Sequence, residues 1–238
     1  NSLMTTIQMG GANNIIRRNT MHKLGASATL NPGDASLITL NNISDTGHMQ
    51  GDGAMVQVMT GQAPGTEISY NWLHSSVKYG ARFDGNGTGN NGIMHHNVMW
   101  GLENSGIMAK GFEFKIFNNT VIDGPENKND ILVMIEQGGN EGTLTHNNVA
   151  DKISGHRSGS YENHPVPGIY THNVNGYEIG RSVRGMLLDP ENLNFRPHPD
   201  SLLVDAGLVI EGFTDDYVGI APDIGAYEYG GEYWIPGI

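Results

Sequence analysis

The sequence predicts an all-β fold, a right-handed single-stranded parallel β-helix with an asparagine ladder, and three observations carry that prediction. A short motif recurs along the chain: an apolar residue, two variable residues, Asn, one variable residue, and a second apolar residue. A second short strand follows most copies at a nearly fixed distance. No segment sustains the period of an amphipathic helix between a start and a stop signal.

The motif opens with Ile16-Arg-Arg-Asn19-Thr-Met21 and Ile38-Thr-Leu-Asn41-Asn-Ile43. It continues through Ile68-Ser-Tyr-Asn71-Trp-Leu73, Met94-His-His-Asn97-Val-Met99 and Ile116-Phe-Asn-Asn119-Thr-Val121. Leu144-Thr-His-Asn147-Asn-Val149 is the sixth copy, and a weaker one surrounds Asn173. The Asn-to-Asn steps are 22, 30, 26, 22, 28 and 26 residues. A repeat of this size means stacked units, each too thin to bury its own apolar face. The basic coil is about 22 residues, and longer steps hold insertions at 44–53, 59–67, 84–92, 123–130 and 154–168. In a solenoid such loops gather on one side and shape a groove. An Asn at each bend places its amide where it can bond the coils above and below, satisfying turn backbone groups.

The second strands read Ala54-Met-Val-Gln-Val58, Gly80-Ala-Arg-Phe-Asp84, Gly106-Ile-Met-Ala-Lys110 and Ile131-Leu-Val-Met-Ile135. Alternation predicts Val56, Val58, Phe83, Ile107, Ala109, Val133 and Ile135 inward. The outward set is then Met55, Gln57, Arg82, Asp84, Met108, Lys110, Met134 and Glu136. The coils are expected over about 16–175 and a closing segment over 176–238, together one domain spanning 1–238.

Composition agrees and excludes. The chain has 238 residues, 37% hydrophobic, with 34 glycines, which suits many turns around a thin core. The formal net charge is −12 with 13 Lys and Arg, so there is no global basic field for nucleic acid. No apolar run approaches the length of a membrane helix. There is no cysteine, hence no disulfide framework and no thiolate metal site. Asn1-Ser-Leu-Met does not resemble a signal peptide, and we expect a mature or trimmed chain, or part of a longer one.

The Asn-rich rungs resemble the right-handed parallel β-helix repeat of secreted bacterial proteins, which include polysaccharide lyases, glycoside hydrolases and epimerases. The tail, Ser201-Leu-Leu-Val-Asp205-Ala-Gly207 and Ala221-Pro-Asp223-Ile-Gly225-Ala-Tyr-Glu228, resembles a closing segment common in that group. The resemblance implies a secreted, extracellular or cell-surface protein whose partner is an extended polysaccharide. No single catalytic motif of those families is matched, so candidate residues come from the strand pattern alone.

Asp84, Lys110 and Glu136 lie 26 residues apart and are expected to stack on one outer sheet face, with Arg82 beside them. In a lyase, Arg82 or Lys110 would neutralise a uronate carboxylate or remove the adjacent proton. In a hydrolase, Asp84 and Glu136 would be the two carboxylates. Two coil steps of about 4.8 Å separate them by roughly 9.6 Å, nearer the inverting spacing. A plain charge ladder serving solubility and register accounts for the same residues, and so does a non-catalytic binding or adhesion solenoid.

A second row, Asp52, Lys78, Asn104 and Asp130, precedes these strands, and His48 with Asp52 is expected to wall the same groove; ordinary turn chemistry competes with that role. Trp72, His74, His96 and Trp100 are candidates for stacking on sugar rings, with His74 and Trp100 expected to be neighbours. The loops 84–91 and 123–130 are oxygen-rich enough to make calcium a candidate cofactor. Gly87-Thr-Gly89-Asn-Asn-Gly92 matches a dinucleotide-binding pattern, but the next coil follows it where a helix is required.

Overall fold

A computed structural model describes residues 4–59, 61–84, 90–136, 139–157 and 165–237. Three parallel sheets, each seven strands deep, form the faces of the coil. The first contains Ala54–Met59, Tyr79–Asp84, Ile107–Lys110 and Ile131–Val133; the second Glu67–Ser69, Ile93–His95, Lys115–Phe117 and Leu144–His146; the third Asn42–Gln50, Trp72–Ser76, Val98–Trp100 and Thr120–Ile122. Every pairing within these sheets is parallel between successive coils, and parallel crossovers of this kind wind right-handed. No described helix is long and apolar enough to cross a membrane.

The bend between the second and third sheets is built the same way in every coil. A residue in the left-handed region turns the chain: Arg18, Leu40, Tyr70, His96, Asn118, Asn147 and His172, with φ between 48° and 57°. The following Asn then forms the ladder. Its Nδ2 donates to Oδ1 of the Asn one coil on, at 2.9 to 3.0 Å, from Asn19 through Asn41, Asn71, Asn97, Asn119 and Asn148 to Asn173. The same Oδ1 also accepts the backbone N–H of the preceding ladder residue, as Asn97 does from Asn71 at 3.1 Å. Asn41, Asn71, Asn97, Asn119 and Asn148 are fully buried, so each amide satisfies backbone groups that water cannot reach.

One rung departs from the sequence alignment. The sixth ladder member is Asn148, and Asn147 is the left-handed bend residue before it. The strands pair Lys115 with Leu144 and Ile116 with Thr145. The buried Thr145 therefore occupies the core position that the apolar pattern assigned to Leu144. A threonine in a core slot hid the one-residue shift.

Inside the coil, Leu30, Val56, Phe83, Ile107, Ile116 and Val133 form one continuous apolar column, with Phe83 stacked on Phe114 at 4.9 Å. Gly92 lies against the Phe83 ring, where a Cβ would stand 2.5 Å from it, so the close approach requires glycine. The stretch 44–53, expected as a loop, is mostly strand. Asn42–Gln50 is nine residues long and pairs with Thr20–Ala26 across a register shift.

After Asn175 the chain leaves the coil through the short helix Gly176–Ile179 and turns back over the outer face of the third sheet. There Trp72, Val98, Ile122 and Val149 pack against Val183, Phe195, Leu203, Ile224 and Tyr227 in a second apolar layer. The tail bonds run far down the coil: the Ala226 N–H donates to Thr120 Oγ1 (2.9 Å), Trp72 Nε1–H to the Tyr227 hydroxyl (3.1 Å), and the Gly237 N–H to the Leu40 carbonyl (2.8 Å). The motif residues of the tail are carboxylates that bind backbone. Asp223 accepts the N–H of Asp205 and of Tyr229, Asp205 accepts those of Ile220 and Ala221, and Glu228 accepts those of Asp223 and Val218.

Candidate functional site

The outer face of the first sheet carries the expected charged residues in a different arrangement. Asp84 pairs in register with Lys110, and Arg82 with Met108. The next coil steps by 24 residues, since Ile107 pairs with Ile131, so Met134 rather than Glu136 follows Lys110. The strand ends at Val133, which leaves Ile135 at 40% exposure instead of in the core. Glu136 faces His156 at 3.3 Å, beyond the sheet, and does not join the row. The hydrolase pairing of Asp84 with Glu136 two coil steps apart is therefore not what the fold builds.

What it builds is a fork. Lys110 Nζ lies 3.0 Å from Asp84 Oδ1, and an Arg82 terminal nitrogen lies 3.1 Å from Asp84 Oδ2. Arg82 Nε–H donates to Gln57 Oε1 at 2.9 Å, and its guanidinium sits over the Tyr79 ring at 5.3 Å. Two cations thus converge on one carboxylate, each held by the rigid register of parallel strands. Nor is this face an open charge ladder: Met55, Gln57, Met108 and Met134 are buried, and Lys110 retains only 7% exposure. Alternation distinguishes inside from outside of the coil, but it cannot show that the outside is covered.

The second row separates. Asp52 is exposed and its carboxylate accepts the Gly53 N–H at 2.8 Å, and Asn104 does the same for Ser105 at 3.0 Å, both ordinary turn chemistry. Lys78 lies at the start of the Tyr79 strand, 5.9 Å from that ring. His48 lies on the strand Asn42–Gln50 of the third sheet, where its ring meets Asp45 at 3.0 Å, whereas Asp52 lies in the turn that leads to Ala54–Met59 of the first. Asp130 is the exception in this row. It is 1% exposed, and among the described residues neither carboxylate oxygen has a hydrogen-bond partner. Burial, opposed by Lys152, raises its pKa to about 8, which favours the neutral carboxyl at neutral pH.

The aromatic candidates are largely structural. Trp72 is buried at 3% exposure between Trp100, Phe195 and the Tyr227 hydroxyl, which removes it as a sugar platform. His74 and Trp100 are in-register neighbours and stack at 4.0 Å. Burial, with nearby His22, lowers the His74 pKa to about 4, so its ring is neutral there. His96 differs, because it lines a cavity that sequence reasoning did not anticipate.

That cavity, about 310 Å3, lies where the tail crosses the bend between the second and third sheets. Tyr70 and His96, bend residues of adjacent coils, stack at 4.9 Å. Trp234 stands almost perpendicular to Tyr70 at 5.4 Å and is backed by Tyr227 at 4.3 Å. Behind His96, His95 Nδ1 lies 2.9 Å from His96 Nδ1, and His95 Nε2 lies 3.1 Å from Glu67. Glu228 completes the wall, its pKa raised to about 7 by burial and by the neighbouring Asp223 and Asp205 carboxylates.

The calcium expectation finds no cage. Among the described residues there is no group of three or more His, Asp or Glu able to hold a metal. Asp123 pairs with Arg184, Glu126 is exposed, and residues 85–89 of the other loop, including Asn86, lie outside the described residues.

No protein-family model and no curated protein matches this sequence. In fold the chain is similar to a solved structure, the pectate lyase Pel9A, with a TM-score of 0.58 and 15% identity over 93% of this chain and 68% of that one. At that identity the likeness establishes a shared parallel β-helix.

Proposed function

We propose that this chain is a secreted β-helix protein that acts on an extended acidic polysaccharide, and that its chemistry is elimination rather than hydrolysis. The observation that carries the reading is the fork of Arg82 and Lys110 on Asp84. Two cations about 3 Å from one carboxylate form a geometry suited to a second carboxylate, that of a uronate unit. The similarity in fold to a pectate lyase supports the same substrate class.

In this reading Arg82 neutralises the sugar carboxylate, which acidifies the hydrogen on the adjacent carbon. Lys110, its ammonium proton handed to Asp84 as the uronate enters, removes that hydrogen as the general base. The electron pair forms the ring double bond, the glycosidic carbon–oxygen bond breaks, and the proton passes to the departing oxygen. Asp84 acts as a positioning residue that holds both cations until the uronate displaces it. Glu136 stands outside the row, beside His156, which favours elimination over a mechanism that pairs it with Asp84.

The test is a panel of acidic and neutral polysaccharides, with ultraviolet absorbance and reducing ends read together. Elimination raises both, and Lys110→Met then abolishes the rise while Arg82→Lys weakens it through kcat as well as KM. Reducing ends without absorbance would overturn the elimination step. A second reading, a non-catalytic binding solenoid, is favoured by one observation: Lys110 and Arg82 are nearly buried and mutually neutralised with Asp84, as in a structural ion triad. Retention of acidic polysaccharide on a column by folded protein, with no signal in either assay, would select it.

A further inference from the structure

The cavity beneath the tail differs from the first-sheet fork in the sign of its charge. Its lining includes four carboxylates, Asp215, Asp216, Glu228 and Glu232, and no lysine or arginine. Lys115 lies over the ring of Phe213, one of the lining residues, at 5.8 Å, and Arg196 over Tyr233, which is not part of the lining. A uronate entering here would meet chiefly like charge. Two of its walls are aromatic and nearly at right angles, Tyr70 and Trp234, and aromatic faces attract cations through their quadrupoles. Its volume suits one sugar ring or a molecule of similar size.

We propose that this cavity binds a small organic ammonium ion, the amino group of an amino sugar or an amine of similar size, with its charge among Asp216 and Glu228 and its carbon–hydrogen face on the Tyr70–Trp234 corner. The walls are preformed. Tyr70 is fixed by the bend of its coil, next to the buried ladder residue Asn71. Trp234 is fixed by stacking on Tyr227, whose hydroxyl bonds Trp72 and the Trp234 carbonyl. Glu228 is held by two backbone N–H groups, so its carboxyl group is placed before a ligand arrives. The raised pKa of Glu228 accords with a site short of positive charge. The inference does not depend on the elimination reading, because the two sites share no residue and favour ligands of opposite charge.

The test titrates the whole chain with glucosamine, tetramethylammonium, N-acetylglucosamine and galacturonate, reading tryptophan fluorescence and calorimetric heat. Glucosamine, tetramethylammonium or both should bind with Kd on the order of 1 mM or tighter, at least about tenfold more tightly than N-acetylglucosamine. Tetramethylammonium alone would assign the site to amines in general, and glucosamine alone to amino sugars. Asp216→Asn, an exposed position that should fold normally, should weaken binding several-fold, and Trp234→Phe should remove the fluorescence response while leaving the heat. Equal binding of glucosamine and N-acetylglucosamine, tighter binding of galacturonate, or no binding of either cation would overturn the proposal. Polysaccharide turnover is read separately, so failure here leaves the first-sheet reading untouched.

Discussion

The outer faces of the first and third sheets begin from the same strand alternation and end as opposite environments. On the third sheet, Trp72, Val98 and Val149 point away from the coil and still lie in an apolar layer, because the tail covers them. On the first sheet, the outward residues Gln57, Arg82 and Lys110 are just as poorly exposed, but Gln57 pairs with Arg82 and Lys110 with Asp84, beside the buried Met108, Leu132 and Met134. The difference teaches that in a solenoid the period of two assigns a side chain to the inside or outside of a coil. Whether the outside meets water is decided by chain that is distant in sequence.

Substitutions can sharpen that contrast. Phe195→Ala, in the apolar layer between Trp72 and Trp100, should destabilise by about 3–5 kcal/mol. Denaturant unfolding checks it, and a cost near zero would mean the tail merely rests on the sheet. Lys110→Ala should cost about 2–4 kcal/mol, since it leaves the Asp84 carboxylate short of a partner in a mostly buried site. Lys110→Met, which keeps volume beside Met134, should cost less than Lys110→Ala; equal costs would show that charge alone matters there. Asn97→Ala should cost about 1–3 kcal/mol, because the backbone N–H of Asn71 and the carbonyls of Ile68 and His95 lose a buried partner.

The last effect is read as a slope rather than as a single cost. With its folded pKa near 8 and an ordinary carboxyl value of 3.8 when unfolded, Asp130 binds more protons in the folded state between those values. Its contribution to stability is therefore greatest at low pH and declines as pH rises from about 4 to 8. Asp130→Asn should flatten the fall in stability by up to about 1.4 kcal/mol per pH unit across that window, read from chemical unfolding at pH 5, 6 and 7. Glu228 contributes a slope of the same sign between 4.5 and about 7, so the mutant curve should retain some decline.

The coil was legible because its signature is local: a ladder Asn needs only the bend before it and identical neighbours one coil away. Six of the seven ladder positions follow from that pattern, and Asn147 was mistaken for Asn148 where Thr145 broke the apolar rule. The site was less legible. Lys110 and Asp84 were paired correctly from equal spacing, whereas Glu136 fell out because the next coil is two residues shorter. The cavity at Tyr70 and Trp234 was hidden, since it joins positions 164 residues apart (234 minus 70) that meet only through the path of the tail. The Asp205, Asp223 and Glu228 motif was visible as a pattern, but its role as a set of backbone acceptors required the folded tail.

That tail has a mechanical consequence. A plain stack of coils holds together only through adjacent neighbours, so it can fray from either end one rung at a time. Here the bond from Gly237 to Leu40 and the contacts of Tyr227 and Ala226 with later coils tie rungs that are otherwise remote. Pulled from its C-terminus, the molecule should resist as a laced boot does, giving way in one large event once the lace slips rather than in a series of small steps.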